Sequence, residues 1–156
     1  PRSTLMRSSA ASDVYKRQYY NNMDSRFFIV EAGGDINQDG NGTRISCTEL
    51  TLIKEITRIQ LAALACEYIR KYPDREENET HLCKDKGAAT VKEDFIIVRG
   101  KNTIAKGVKG SYLFLLKEEK DTRNIQEIYP VYVDGKQIKA NVYYGLRGGK
   151  LCIKKN

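Results

Sequence analysis

The sequence predicts an α+β protein with an N-terminal strand pair and one helix, followed by a short solenoid-like β region and antiparallel C-terminal hairpins. Three observations support this fold class. Apolar residues mostly alternate in the first segment, recur at helical steps in one later segment, and fall into short runs between glycines in the C-terminal half. The 156 residues are enough for one domain with a real core.

Residues 1–18 do not resemble part of a folded domain. Their end, "DVYKRQ" at 13–18, resembles the in-frame translation of a transposon-end adapter used to prepare short-read sequencing libraries. The competing interpretation is a signal peptide, but no apolar central segment follows Arg2 or Arg7. We expect residues 1–18 to be an artefactual, disordered leader and the natural protein to be truncated on its N-terminal side.

Two strands and a helix are predicted over residues 19–72. The β-rich run Phe27 to Val30 leads into Gly33-Gly34, which predicts a strand running into a turn, and a second strand starts at Ile45. From about 55 to 72 the apolar residues recur at three- and four-residue steps, which indicates a helix that Pro73 ends. Its apolar face comprises Ile56, Leu61, Leu64, Ala65, Tyr68 and Ile69.

Residues 73–83 are charged and lack periodicity, so they predict a linker, and residues 84–156 predict a β-rich region in one domain with 19–72. From Gly87 the sequence shows a faint eight-residue recurrence, in which Ala88, Ile96, Ile104 and Tyr112 coincide. Short apolar runs separated by Gly and Lys suggest a few rungs of a β-solenoid. An ordinary meander of strands is the alternative.

Two hairpins are predicted at the C-terminal end. Asp134-Gly135 stands between two alternating runs, which favours a type I′ turn because both turn residues must accept positive φ. A second hairpin is predicted around Gly148-Gly149. With so many closely spaced turns, antiparallel pairing is expected here.

The stretch "GGDINQDGNG" resembles the start of a calcium-binding loop, with Asp35, Asn37 and Asp39 as weak metal-ligand candidates. Counted from Asp35, position 8 is Gly42 and position 12 is Ser46, so the apolar anchor and the bidentate carboxylate are missing. Asp, Asn and Gly also suit a tight turn. The sequence favours a turn between strands and predicts no metal or cofactor.

No constellation of residues predicts an enzyme. The only histidine, His81, falls in the predicted linker beside Cys83 and is expected to be an inert surface residue. The four cysteines are far apart without a C-x-x-C pair, which is typical of a reducing cytoplasm. No window holds 18 apolar residues, so no membrane partner is expected.

The charge is uneven along the chain. Residues 19–83 carry 7 basic and 11 acidic groups, a net −4, whereas residues 84–156 carry 16 and 8, a net +8. This asymmetry can mark a polyanion-binding half, or simply a soluble surface. Tyr143 or Tyr144 could stack on bases. The candidate nucleic-acid-binding residues are Lys106, Lys109, Arg147, Lys150, Lys154 and Lys155.

From about Tyr19 to Lys155 the chain resembles an uncharacterised family from phages, prophages and gut bacterial mobile elements. Its members share a "VE-(S/A)-G-(D/E)-I" strand, Gly-Ala-Ala repeats and a closing "VDG-x-x-(I/V)-K-A-x-x-x-Y-x-L-x-x-G". Here these correspond to "VEAGGDI", the single "GAAT" at 87–90 and "VDGKQIKANVYYGLRGGKL" at 133–151. The upstream Cys/His segment of the family is absent, and the resemblance implies a genomic setting rather than a reaction.

The expected function is therefore a non-catalytic structural or partner-binding module of phage origin, acting in the cytoplasm of a bacterial host. A protein partner is the first expectation. The alternative is a nucleic-acid-binding accessory protein that uses the basic C-terminal half. The sequence does not fix the oligomeric state.

Overall fold

A computed structural model describes residues 6–8, 26–38, 45–74 and 81–154. Within these ranges the chain forms one helix and nine strands in two sheets, so the α+β class is confirmed, with strands in the majority. The elements are β1 Met6–Ser8, β2 Phe27–Gln38, β3 Ile45–Ile56, α1 Arg58–Lys71, β4 Leu82–Ala89, β5 Phe95–Gly107, β6 Tyr112–Glu118, β7 Ile125–Tyr132, β8 Tyr144–Arg147 and β9 Lys150–Ile153.

The first sheet is an antiparallel ribbon of β2 and β3, with β1 paired on the other side of β3. The predicted turn at Gly33-Gly34 is wrong, because β2 continues through it as a bulge. Gly34 has φ +66°, and the Asp35 amide donates to the Thr48 hydroxyl at 2.9 Å. The connection between the two strands, 39–44, lies outside the described residues. Of the leader only β1 is described, so its artefactual origin stays a prediction.

The helix begins three residues later than predicted, at Arg58, because Ile56 still belongs to β3. Thr57 is the N-cap of a capping box: its hydroxyl accepts from the Gln60 amide, and the Gln60 side chain accepts from the Thr57 amide. Arg70 and Lys71 lie in the last turn, where the helix dipole favours cations. The buried helix residues are Ala62, Ala65, Cys66 and Ile69.

The second sheet is a curled half-barrel in which β4, β5 and β6 follow one another in parallel. Parallel neighbours normally need a long crossover. Here the connections are short, because β5 itself bends: residues 95–100 pair with β6, whereas Ile104 and Ala105 pair with β8. β4 follows β5 on both sides of the bend and shifts register at Asp85. Antiparallel β7 and the β8–β9 pair complete the sheet.

The two predicted C-terminal hairpins had different outcomes. The β8–β9 hairpin is confirmed, with φ +57° at Gly148 and +73° at Gly149. The hairpin at Asp134-Gly135 is wrong. The Asp134 carboxylate accepts from the amides of Lys136 at 2.7 Å and Ile138 at 3.0 Å, which holds its pKa below the ordinary value. This side-chain-capped turn ends in an irregular segment, and β8 then pairs with β5 instead of β7.

Two buried clusters hold the curled sheet together. Alternation along β5 and β6 sends side chains to both faces, and residues 95–100 of β5 and 113–116 of β6 are buried on both. One cluster lies under the helix and includes Ala62, Cys66, Ile69, Phe95, Ile97, Phe114, Leu116 and Ile125. The other lies on the opposite face of the sheet and comprises Ala89, Ile96, Val98, Ala105, Leu113, Leu115, Val131 and Val133.

We predict that Gly87→Ala destabilises the protein by about 1–3 kcal/mol, because inserting volume into a packed core forces its neighbours to move. A Cβ on Gly87 would lie 2.6 Å from Val98 Cγ2 and 2.9 Å from Ile96 Cγ1. Urea unfolding measures the change. The matched control is Gly33→Ala in β2, where the closest atom is the carboxylate end of Glu49 at 3.2 Å. Equal losses for the two variants would contradict the packing at Gly87.

Candidate nucleic-acid interface

The candidate site is built on the part of β5 that follows its bend. Thr103, Ala105 and Gly107 are buried, so the residues between them, Ile104 and Lys106, point to the outer surface. β4 flanks this stretch on one side and β8 on the other. Because the backbone is paired along both edges, the outward side chains start from fixed positions.

Pairing extends this outward surface over four strands. Lys86 of β4 lies opposite Ile104, and Arg147 of β8 lies opposite Lys150 of β9. The Lys154 amide donates to the Tyr143 carbonyl at 2.8 Å, which continues the β8–β9 pairing by one step. We call this surface the basic face; its members are Lys86, Lys106, Tyr143, Arg147, Lys150 and Lys154.

Tyr143 lies at the centre of the basic face. The Lys86 ammonium is 4.5 Å and the Lys106 ammonium 4.9 Å from the centroid of its ring. Lys154 also approaches, since its Cε lies 3.0 Å from where a Cβ on the neighbouring Gly145 would be. Cations over an aromatic ring are attracted by its quadrupole. One ring therefore supports two of the positive charges.

The charged side chains at the described outward positions of this face are all basic. In the described part of the chain, no acidic residue occupies an outward position of β8 or β9. The same holds for β4 after its register shift and for β5 after its bend. Over the same described ranges, no acidic side chain forms an ion pair with Lys106, Arg147, Lys150 or Lys154. The face is thus suited to a polyanion.

The structure distinguishes the two tyrosines that the sequence left as alternatives. Tyr144 is buried, and its hydroxyl accepts from the Lys139 amide at 2.7 Å. Tyr143 is half-buried and belongs to the outer surface. Strand phase decides between them, because consecutive residues of a strand point to opposite faces.

Of the six candidate cations, four share the basic face, one lies in a turn, and one falls outside the described residues. Lys106, Arg147, Lys150 and Lys154 are brought together on the basic face. Lys109 lies in the turn after β5, where its aliphatic stem packs against Gly135.

Lys155 lies outside the described residues. Sequence reasoning missed Lys86. The stretch "KGAA" could have indicated it, because the strand alternates there between an outward Lys86 and a buried Gly87.

The calcium-ligand candidates do not form a loop in the described residues. Asp35 and Asn37 lie on the extended strand β2, and Asp39 is outside the described part. Among the described residues, no group of three or more His, Cys, Asp or Glu could hold a metal ion.

His81 is not a surface residue, which corrects the sequence-based expectation. It is buried, its Nε2 lies 3.2 Å from Asp94 Oδ2, and its ring packs against Phe95. The residues next to it do not belong to a linker either, since β4 begins at Leu82. Residues 75–80 of the predicted linker lie outside the described ranges.

Two cysteine thiols, those of Cys66 and Cys83, lie in surroundings that disfavour the thiolate. Burial raises the pKa of Cys66, and burial also raises the pKa of the half-buried Cys83. A raised pKa disfavours the thiolate, which is the nucleophilic form.

A polar cleft on another part of the surface is organised by a buried ion pair. The Arg99 Nε donates to Glu118 Oε1 at 2.6 Å, and both side chains are almost fully buried. The Arg99 Nη2 donates to the carbonyls of Pro73 and Arg123. Arg99 therefore ties the end of the helix and the β6–β7 loop to the sheet, and its donors are used for structure.

Comparison with known proteins identifies part of the chain. A domain of unknown function, DUF7666, is found at residues 11–64. It covers β2, β3 and the first half of the helix, and it ends before β4. No curated protein and no solved structure matches the chain. In the described ranges, no helix is long and apolar enough to cross a membrane.

We predict that Glu118→Gln destabilises the protein by about 3–5 kcal/mol, because it leaves the Arg99 charge buried without a carboxylate. The matched control is Glu127→Gln, which removes the half-exposed ion pair of Glu127 with Lys117 at 3.3 Å. That change should cost under about 1 kcal/mol. Urea unfolding of both variants measures the difference, and similar losses would show that the Arg99 pair is not the stronger constraint.

Proposed function

We propose that this chain is a non-catalytic binding protein whose basic face binds nucleic acid through the phosphate backbone. The observation that supports this most directly is that five cations and Tyr143 share one face of the sheet, whose described outward positions carry no acidic residue. Phosphate contacts from Lys and Arg supply most of the affinity of non-specific nucleic-acid binding.

The arrangement of the cations suits an extended strand. Lys86, Lys106 and Lys154 form a row from β4 across β5 and β8 to β9, which spans about 14 Å at the usual strand spacing. Arg147 and Lys150 extend the charge towards the β8–β9 turn. A row of this length can contact several successive phosphates of one strand. It carries no pattern for reading bases, so we expect little sequence preference.

The absence of catalysis is part of the proposal. The raised pKa values of Cys66 and Cys83 disfavour nucleophilic thiolates. His81 Nε2 is engaged with Asp94 in the interior. The phage setting and the cytoplasm of a bacterial host are proposed on the motif resemblance alone.

We also interpret β4, β5 and β6 as a short solenoid-like coil. Segments 87–89, 95–99, 104–107 and 112–116 are successive sides of the curl, and they start about eight residues apart, as the recurrence in the sequence does. A coil of this kind presents its outward residues in rows, which is how the basic face arises.

We predict that the protein binds a fluorescein-labelled 20-nucleotide single-stranded DNA at 50 mM salt, measured by fluorescence anisotropy. For contacts with four or five phosphates, the affinity should fall by roughly 50- to 130-fold between 50 and 200 mM salt. The double variant Lys106→Glu with Lys150→Glu should weaken binding by at least about tenfold.

The matched control is Lys101→Glu with Lys120→Glu, which makes the same change in net charge beside the polar cleft. Equal weakening by both double variants would show that net charge, and not the basic face, is responsible. No binding by the unmodified protein at 50 mM salt would refute the proposed function.

A second candidate function is protein binding through the ribbon. Leu52 and Ile53 of β3 are each 60% exposed, although both are large and apolar. Apolar side chains exposed together often mark an interaction surface. A crosslinking pull-down with Leu52→Thr/Ile53→Thr as the comparison tests it: this role requires a captured protein that the variant loses. Capture of the same proteins by both forms would remove this candidate.

A further inference from the structure

We propose that two copies of this chain pair along the outer edge of β3, so that their ribbons join into one antiparallel sheet. This interface lies in the sheet that does not carry the basic face, and its occupant is a second copy of the chain. Three features of the ribbon support it: the ribbon takes part in neither buried cluster, the edge of β3 is open, and β3 is complementary to itself.

The ribbon of β2 and β3 is not held by either core. Within the described part of the chain, neither buried cluster includes a residue of these two strands. Val30 and Ala32 of β2 lie opposite Leu52 and Leu50 of β3, so the four side chains share one face, and none of them is buried. Two strands by themselves are marginally stable in water, and further strands stabilise them. The ribbon therefore gains stability from an added strand.

The outer edge of β3 is where such a strand can pair. β1 occupies this edge along residues 45–47, and residues 48–56 have no strand on that side in the described ranges. An unpaired edge presents a row of amide and carbonyl groups to which another strand can bond. β1 pairs in the antiparallel direction, which is also the direction that a two-fold symmetric dimer requires.

The middle of β3 is complementary to itself when Thr51 lies opposite its own copy. In that antiparallel register, Leu50 of one copy faces Leu52 of the other on both sides of the two-fold axis. These two leucines project to the same face of the ribbon, as residues opposite one another across two strands must. Leu52 is 60% exposed in the single chain, and the second copy places an apolar side chain beside it.

Opposite charges meet at the next step from the axis. Ile53 is an extra residue that the pairing with β2 skips, and a bulge of this kind shifts the side-chain alternation for a neighbour on either side. Lys54 of one copy then lies opposite Glu49 of the other, twice in the dimer. Both side chains project to one face, since their β2 partners, Ile29 and Gly33, are an even number of residues apart.

The charges of Glu49 and Lys54 are available for this contact. Neither residue forms an ion pair with another residue in the described part of the chain. Opposite charges directly across two strands attract each other, whereas like charges repel. The register that joins the leucines therefore also joins the charges.

Two other arrangements of a second copy lack this match. Pairing along the outer edge of β2 would gather like charges, because the charged residues of that strand, Glu31 and Asp35, are both acidic. Packing two ribbons face to face would cover the leucines, but it would not set Glu49 opposite Lys54. The complementarity of β3 thus favours edge pairing.

Sedimentation velocity of the full chain, up to about 200 µM, should show a monomer–dimer equilibrium, because edge pairing alone makes a small interface. Glu49→Lys and Lys54→Glu each set like charges opposite one another, and each should weaken dimerisation by at least about fivefold. An equimolar mixture of the two variants should associate like the unmodified protein, because both cross-strand pairs again carry opposite charges. The control is Lys120→Glu, at an exposed lysine of the polar cleft, which should leave dimerisation unchanged.

Thr51→Cys tests the register directly. Across the two-fold axis, the two Cα atoms at position 51 should lie about 4.5–5.5 Å apart, which a disulfide bond can span. With oxidised glutathione as the oxidant, this variant should give a covalent dimer on a non-reducing gel. Thr90→Cys, at an exposed threonine between β4 and β5, is the control and should remain a monomer there. Urea unfolding checks that every variant is folded.

Three results would overturn the proposal. The first is an unmodified chain that stays monomeric over the whole concentration series. The second is a mixture of the two charge variants that associates no better than either variant alone. The third is covalent dimer from Thr51→Cys and Thr90→Cys in equal yield. None of these measurements includes DNA, so such a result would leave the proposed nucleic-acid binding intact.

Discussion

The bend in β5 is the constraint on which the rest of the curled sheet depends. It follows Gly100, whose φ of +149° is accessible to few other residues, and β4 meets it with Asp85 at φ +61°. A Cβ on Gly100 would collide with the Asp85 carboxylate. Without this corner, one strand could not pair with β6 along one half and with β8 along the other.

The corner is fixed by its neighbours as well as by its own backbone. Arg99 directly precedes Gly100, and its buried guanidinium bonds to Glu118 and to the Pro73 and Arg123 carbonyls. The end of the helix, the end of β6 and the following loop therefore meet where β5 turns. Because a buried charge must keep its partners, this arrangement resists any change in the direction of β5.

Local signals predicted those parts of the fold that local interactions decide. The helix and the β8–β9 hairpin were recognised because periodicity, Pro73 and the Gly148-Gly149 pair act within a few residues. The Asp134-Gly135 turn was misread, because a side chain that caps two amides competes with a hairpin and gives the same dipeptide signal.

Long-range pairing explains what the sequence did not predict. The eight-residue recurrence indicated short segments, but which segments lie side by side depends on the bend in β5. Lys86 was missed for this reason, since it comes from β4, twenty residues before Lys106. His81 was misjudged because its burial depends on Asp94 and Phe95, which follow it across the β4–β5 connection. That Tyr143 and not Tyr144 lies on the outer surface could be decided only once the pairing of β8 with β5 showed which face each residue of β8 takes.

The exposed apolar residues and the basic face belong to different sheets, and this follows from the architecture. The DUF7666 region at 11–64 contributes the ribbon, where apolar Leu52 and Ile53 are exposed, and it does not reach the basic face. The basic face exists only because the bend returns β5 alongside β4 and β8. A change in the ribbon should therefore leave the basic face unaltered, since no strand pairing links the two sheets in the described residues. A change at Gly100 should alter the basic face even though Gly100 lies outside it, because the direction of β5 beyond the bend depends on this corner.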